Sequence, residues 1–134
     1  MADALTESLS RVWIFGGLAE DELARLSQLA RIKAYKARET IVEKGDPANE
    51  VFVLLRGRAK VSTQGTDGAD AAINVMGPGE VFGEVAILDG RPRSATVTTL
   101  EECELAVVDK RAFHDLLASS PPMAVKLLAV LAGR

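Results

Sequence analysis

Apolar and polar positions change period twice along the chain, and the changes divide it into three zones. Over residues 1–30, Leu18, Leu23, Leu26, Leu29 and Ala30 recur at spacings of three to five, which predicts a helix with one apolar face. Glu20, Asp21 and Glu22 fall near its start, where the helix dipole favours negative charge. Trp13, Ile14 and Phe15 precede it, followed by the breaker pair Gly16-Gly17. Residues 31–108 read as short strands: Ile32–Lys36, Thr40–Glu43, Val51–Leu55, Ala59–Thr63, Ala71–Met76, Ala95–Thr99 and Glu104–Val108. Turn signals divide them at Lys44-Gly45-Asp46-Pro47, Arg56-Gly57-Arg58, Gly65-Thr66-Asp67-Gly68 and Gly77-Pro78-Gly79, and Gly65–Asp70 reads as an exposed hairpin tip. Many short strands at such spacing predict a sandwich or barrel.

Residues 109–134 return to helix. Asp109 is a helix cap for a segment through Phe113, Leu116 and Leu117, which Ser119-Ser120-Pro121-Pro122 ends. A second helix starts near Pro122 and carries Met123, Val125, Leu127, Leu128, Val130 and Leu131. It is apolar around most of its circumference and requires cover. The expected organisation is one domain over residues 1–134, mainly β with flanking helices: helical 1–30, barrel 31–108 and C-terminal helices 109–134.

Charge and composition narrow the chemistry. Lys and Arg total 16 and Asp and Glu total 19, a net charge of −3. That balance argues against direct DNA contact from this segment, which would lean on a basic surface, yet it permits a small anion met by one or two local cations. Cys103 is the one cysteine, so no intrachain disulfide and no metal-thiolate cluster is expected. No apolar run reaches the roughly 18 residues of a membrane span, and the first residues lack the pattern of a secretion signal, so a cytoplasmic location and no membrane contact are expected. His114 is the one histidine, too few for a 2-His-1-carboxylate metal site and without a neighbouring nucleophile. No enzyme activity, no metal and no resident cofactor are expected. Trp13 and Phe15 read as packing anchors, Cys103 as an inert, partly buried thiol, His114 as a structural or surface residue, and Arg91 as a solvated turn residue.

The informative stretch is residues 77–97. It reads as a turn, a strand end, a short apolar helix-like piece from Val85 to Leu88, a Gly/Pro turn and a new strand. Glu84 opens the short piece and Arg93 closes the turn, with the small residues Gly83, Ala86, Ser94 and Ala95 beside them. Small residues allow close approach of backbone N–H groups to a ligand. A helix start beside an arginine suits a phosphate. A carboxylate would repel that phosphate, so Glu84 fits a sugar hydroxyl instead. Phosphate plus hydroxyl points to a nucleotide with a single negative phosphate.

The run Phe82-Gly83-Glu84-Val85-Ala86 followed by Pro92-Arg93-Ser94-Ala95-Thr96-Val97 resembles the phosphate-binding cassette of cyclic-nucleotide-binding domains, the sensor domains of bacterial Crp/Fnr-type regulators and of cAMP-dependent kinase regulatory subunits. Ile41 to Ala48 and Val51 to Val61 resemble the family's first barrel strands with their glycine turns. The resemblance implies a double-stranded β-helix, a jelly-roll barrel. It implies that Glu84 accepts from the ribose 2′-hydroxyl and that Arg93 pairs with the exocyclic phosphate oxygens. The N–H groups of Val85, Ala86, Ser94 and Ala95 would complete the cradle, with Gly83 at its edge and Val61 and Ile73 against the base. The implied ligand is cAMP, favoured over cGMP. The implied output is movement of the C-terminal helices, in the sensor part of a transcription regulator, with a homodimer formed through the C-terminal helix. The alternative is a barrel that binds no nucleotide and serves as an interaction module or senses another small acid.

Overall fold

The computed structural model describes residues 4–64, 70–83 and 90–132, with side chains left out at 64, 70–73 and 130–132. Glu84, Val85 and Ala86, and most of the predicted hairpin tip, lie outside the described residues. The N-terminal zone holds α1 (Ala4–Ser10), a 3-10 turn (Trp13–Phe15) and α2 (Glu20–Leu29). Eight strands follow among the described residues: β1 (Arg31–Tyr35), β2 (Thr40–Val42), β3 (Glu50–Arg56), β4 (Ala59–Gln64), β5 (Asp70–Met76), β6 (Val81–Phe82), β7 (Thr96–Thr99) and β8 (Cys103–Asp109). Helices α3 (Lys110–Ser119) and α4 (Pro121–Ala132) complete the chain.

The strands form two four-stranded antiparallel sheets, ordered β1-β8-β3-β6 and β2-β7-β4-β5. Consecutive strands alternate between the sheets except for β4 and β5, which pair with each other in the second, the jelly-roll arrangement that the fold expectation named. The central strands β3 and β8 of the first sheet are covered on both faces. Val51 and Val53 of β3 with Ala106 and Val108 of β8 pack against the helices, on Leu9, Phe15, Leu26, Phe113 and Met123. The alternate residues Phe52, Leu54, Leu105 and Val107 point the other way, into the space between the sheets with Ala59, Met76, Phe82 and Val97. Two buried faces explain why β3 and β8 read as near-continuous apolar runs.

Local chemistry sets the ends of the elements. The Glu22 carboxylate reaches back to accept the Ala19 N–H at 2.9 Å, tying down the start of α2. Asp109 Oδ1 accepts from the Ala112 N–H at 2.8 Å and starts α3 where the sequence places a cap. Gly57 turns β3 into β4 at φ +93°, and a Cβ there would strike the Glu102 carbonyl and Cys103 Sγ. The Thr99 hydroxyl, buried, donates to the Lys36 carbonyl at 2.6 Å and accepts the Glu39 N–H at 2.8 Å. It thereby fastens the β1–β2 connection to β7.

Among its described side chains, α4 is covered on one side only. Met123 and Leu127 are buried, whereas Val125 and Leu128 are exposed. Its first turn rests on the N-terminal zone: Gly17 sits so close to Pro122 that a Cβ at position 17 would lie 2.7 Å from the proline Cβ, and Lys126 Nζ donates to the Trp13 carbonyl at 2.7 Å.

Candidate cyclic nucleotide site

Arg93 sits where the β6–β7 connection returns to the second sheet. Its backbone is clamped by the loop after β2. The Arg93 N–H donates to the Asp46 carbonyl, and the Gly45 N–H donates to the Arg93 carbonyl, both at 2.8 Å. That loop is itself closed by the Asp46 N–H on the Glu43 carbonyl at 3.0 Å, with Gly45 at φ +94°. Lys44 N–H adds a bond to Thr96 Oγ1 at 3.0 Å. The Lys44-Gly45-Asp46-Pro47 turn therefore positions the arginine that leads into the neighbouring strand, β7, a role its turn signal alone did not show.

The guanidinium points inward. Arg93 is 6% exposed. Nη2 donates to the Glu50 carbonyl at 2.6 Å and Nη1 to the Gly83 carbonyl at 3.2 Å. Its carbon lies 5.5 Å from the centre of the Phe52 ring, on the attractive electron-rich side of the quadrupole. Phe52 stacks on Phe82 at 4.9 Å and 12° across the β3–β6 pair, so the platform beneath the cation is built from two adjacent strands. Glu50 is held in turn: its carboxylate pairs with Arg31 of β1. Withdrawn from water, a fixed cation attracts an anion far more strongly than a solvated one does.

Gly83 follows β6 at φ +91°, a conformation that side chains rarely adopt. Arg93 and the Glu50 carbonyl fill the space its Cβ would need. Of the sequence-predicted residues, the fold brings Gly83 and Arg93 into direct contact. Ser94 is exposed and Ala95 half-buried, leading into β7. Val61 packs against the inner cluster. Ile73 lies in β5 opposite Ser62, and its side chain falls outside the described residues. Sequence reasoning missed Glu50, Phe52 and the Gly45-Asp46 clamp. Two of these act through backbone atoms, which side-chain identity does not reveal.

Residues 32–120 match the family model described as the cyclic nucleotide-binding domain. The chain belongs to the cyclic nucleotide-binding domain family. Among curated proteins this domain is similar to the CRP-like cAMP-activated global transcriptional regulator of Mycobacterium tuberculosis, 29% identical over 130 residues, covering 97% of this chain and 58% of the relative. Among solved structures it is similar to the catabolite activator protein of Thermus thermophilus (TM-score 0.82, 28% identity, 90% of this chain and 57% of that one). It is also similar to the regulatory domain of Toxoplasma gondii PKA, solved with cAMP (TM-score 0.79, 27% identity, 87% of this chain and 46% of that one). The cyclic nucleotide-binding domain thus spans somewhat more than half the length of the bacterial relatives.

Proposed function

We propose that this domain senses a cyclic nucleotide, cAMP in preference to cGMP, as the sensor part of a transcription regulator. The observation that carries the reading is the buried guanidinium of Arg93, clamped at its backbone and aimed along Gly83 at the end of β6. In this reading Arg93 forms charge-assisted bonds with the exocyclic phosphate oxygens. Glu84 accepts from the ribose 2′-hydroxyl, and the N–H groups of Val85, Ala86, Ser94 and Ala95 complete the cradle. The preference for cAMP is supported by the mycobacterial relative, described as cAMP-activated, and by the Toxoplasma regulatory domain solved with cAMP.

Occupancy is relayed through the C-terminal helices. Contacts of Gly17 with Pro122 and of Lys126 with Trp13 support this, because they couple the first turns of α4 to the N-terminal zone. A ligand shifts such an arrangement only by its differential affinity for the two states. The exposed Val125 and Leu128 support a homodimer through α4. The net charge of −3 supports leaving DNA contact to another part of the regulator.

Calorimetry with cAMP on the wild type and Arg93→Ala tests the site. Loss of a buried charge partner is expected to weaken binding by about 2–5 kcal/mol, roughly 30- to several-thousand-fold. Equal affinities overturn the proposal.

A further inference from the structure

The inner face of the second sheet is laid out in rungs beside Arg93. Thr99, Ala59 and Met76 form one rung, and all three are buried. Val97, Val61 and Asn74 form the next rung toward Arg93. Directly opposed residues of an antiparallel pair project to the same face. Val97 and Val61 pack with the inner cluster, so Asn74 shares their side of the sheet. It is exposed at the open end of that face, a carboxamide beside two valines. Val97 follows Arg93 by four residues, and Asn74 stands two strands beyond it, about 10 Å away at ordinary strand spacing. A nucleotide moored by its phosphate at Arg93 and laid across the sheet would bring its base to this rung.

We propose that the Asn74 carboxamide contacts the edge of the purine and sets a preference for adenine over guanine. The proposal rests on the nucleotide-binding reading given above. Asn74 Oδ1 accepts from the Val75 N–H at 3.0 Å, which fixes which end of the amide is oxygen and which is nitrogen. The oxygen keeps a second lone pair and the nitrogen two donors. Adenine offers a matching edge, the N7 acceptor beside the N6 amine, which an asparagine meets with one bond each way. Guanine offers N7 and O6, both acceptors, so the amide oxygen would face an oxygen.

The test is titration calorimetry of the wild type, Asn74→Ala and Arg93→Ala against cAMP and cGMP, with thermal melts of each protein. The wild type is expected to prefer cAMP. Asn74→Ala is expected to fold normally and to lose roughly 5- to 150-fold of the cAMP-to-cGMP ratio, the discrimination typical of a bidentate base contact. Arg93→Ala is expected to weaken both nucleotides alike and leave the ratio in place. If Asn74→Ala keeps the wild-type ratio, whether or not both affinities fall together, the base-reading role is overturned while the phosphate site stands. If the wild type binds neither nucleotide, the underlying reading and this proposal fall together.

Discussion

Nη1 of Arg93 donates to the Gly83 carbonyl at 3.2 Å, and a Cβ on Gly83 would fall on that same nitrogen. The glycine therefore serves two needs at once. It adopts φ +91°, and it leaves room for the cation against its backbone. Gly83→Ala is expected to lower stability by about 1–3 kcal/mol from the unfavourable backbone geometry. The same substitution displaces the guanidinium, so cAMP binding should weaken as well. Urea denaturation and calorimetry measure the two effects separately. A variant of wild-type affinity would show that the arginine's placement against Gly83 is immaterial to the ligand.

Thr99 illustrates a buried polar residue whose value is entirely local. Its hydroxyl satisfies both the Lys36 carbonyl and the Glu39 N–H. Thr99→Val keeps the shape and removes both partners, leaving two backbone groups to find others. A loss of about 1–3 kcal/mol is expected, read as a shift in the urea midpoint with the slope unchanged. Since Thr99 lies one rung deeper than Val97, the affinity for cAMP should hold.

Much of this architecture was legible in the residues. Turn glycines such as Gly57, the Asp109 cap and the apolar runs of β3 and β8 announce themselves through local chemistry. The three zones follow from changes of period. The seven-residue α1 was not marked out within the helical zone, because so short a helix depends on packing such as that of Leu9 rather than on propensity. Gly83 and Arg93 were legible as a pair through the motif they share. The partners that orient Arg93 were not. The carbonyls of Glu50 and Asp46 are common to every residue, and only the fold decides which ones arrive. The placement of Asn74 was hidden for a similar reason. Whether it or Ile73 stands opposite Val61 depends on strand register, which a one-residue shift reverses.

Cys103 gives a test of the core that is independent of the ligand. Burial pushes its thiol up from the ordinary value, because the thiolate would lose its hydration. Nearby Glu101 pushes the same way, and the S–H group has the Arg58 and Glu101 carbonyls as acceptors, each at 3.3 Å. The folded state therefore favours the neutral thiol. Its contribution to stability is complete below the unfolded thiol value of about 8.5 and is lost as pH rises from there through the higher folded value. Cys103→Ala is expected to show a shallower fall in stability above that pH than the wild type, read by denaturation at several pH values. In the native protein the thiol should also resist alkylation near pH 8 and react promptly in denaturant. Rapid native alkylation would contradict the packing at the β3–β4 turn.

The outer face of α4 carries the last prediction. Val125 and Leu128 are 63% and 64% exposed, one turn apart, on the side opposite Met123 and Leu127. Neighbours three apart on a helix form a common surface, and two bulky aliphatic groups left in water gain by covering each other in a second subunit. Light scattering on the wild type is expected to give the dimer mass. Val125→Asp combined with Leu128→Asp places two carboxylates in that contact and should give the monomer mass. The fold should survive, because neither side chain contributes to the buried core, so thermal melts extrapolated to low protein concentration should agree between the two proteins. A wild type that is monomeric at tens of micromolar would remove the dimer from the account and leave this face to another partner. If the dimer transmits the ligand signal, cAMP should also tighten wild-type association, and by linkage the monomeric variant should bind cAMP more weakly by the same factor.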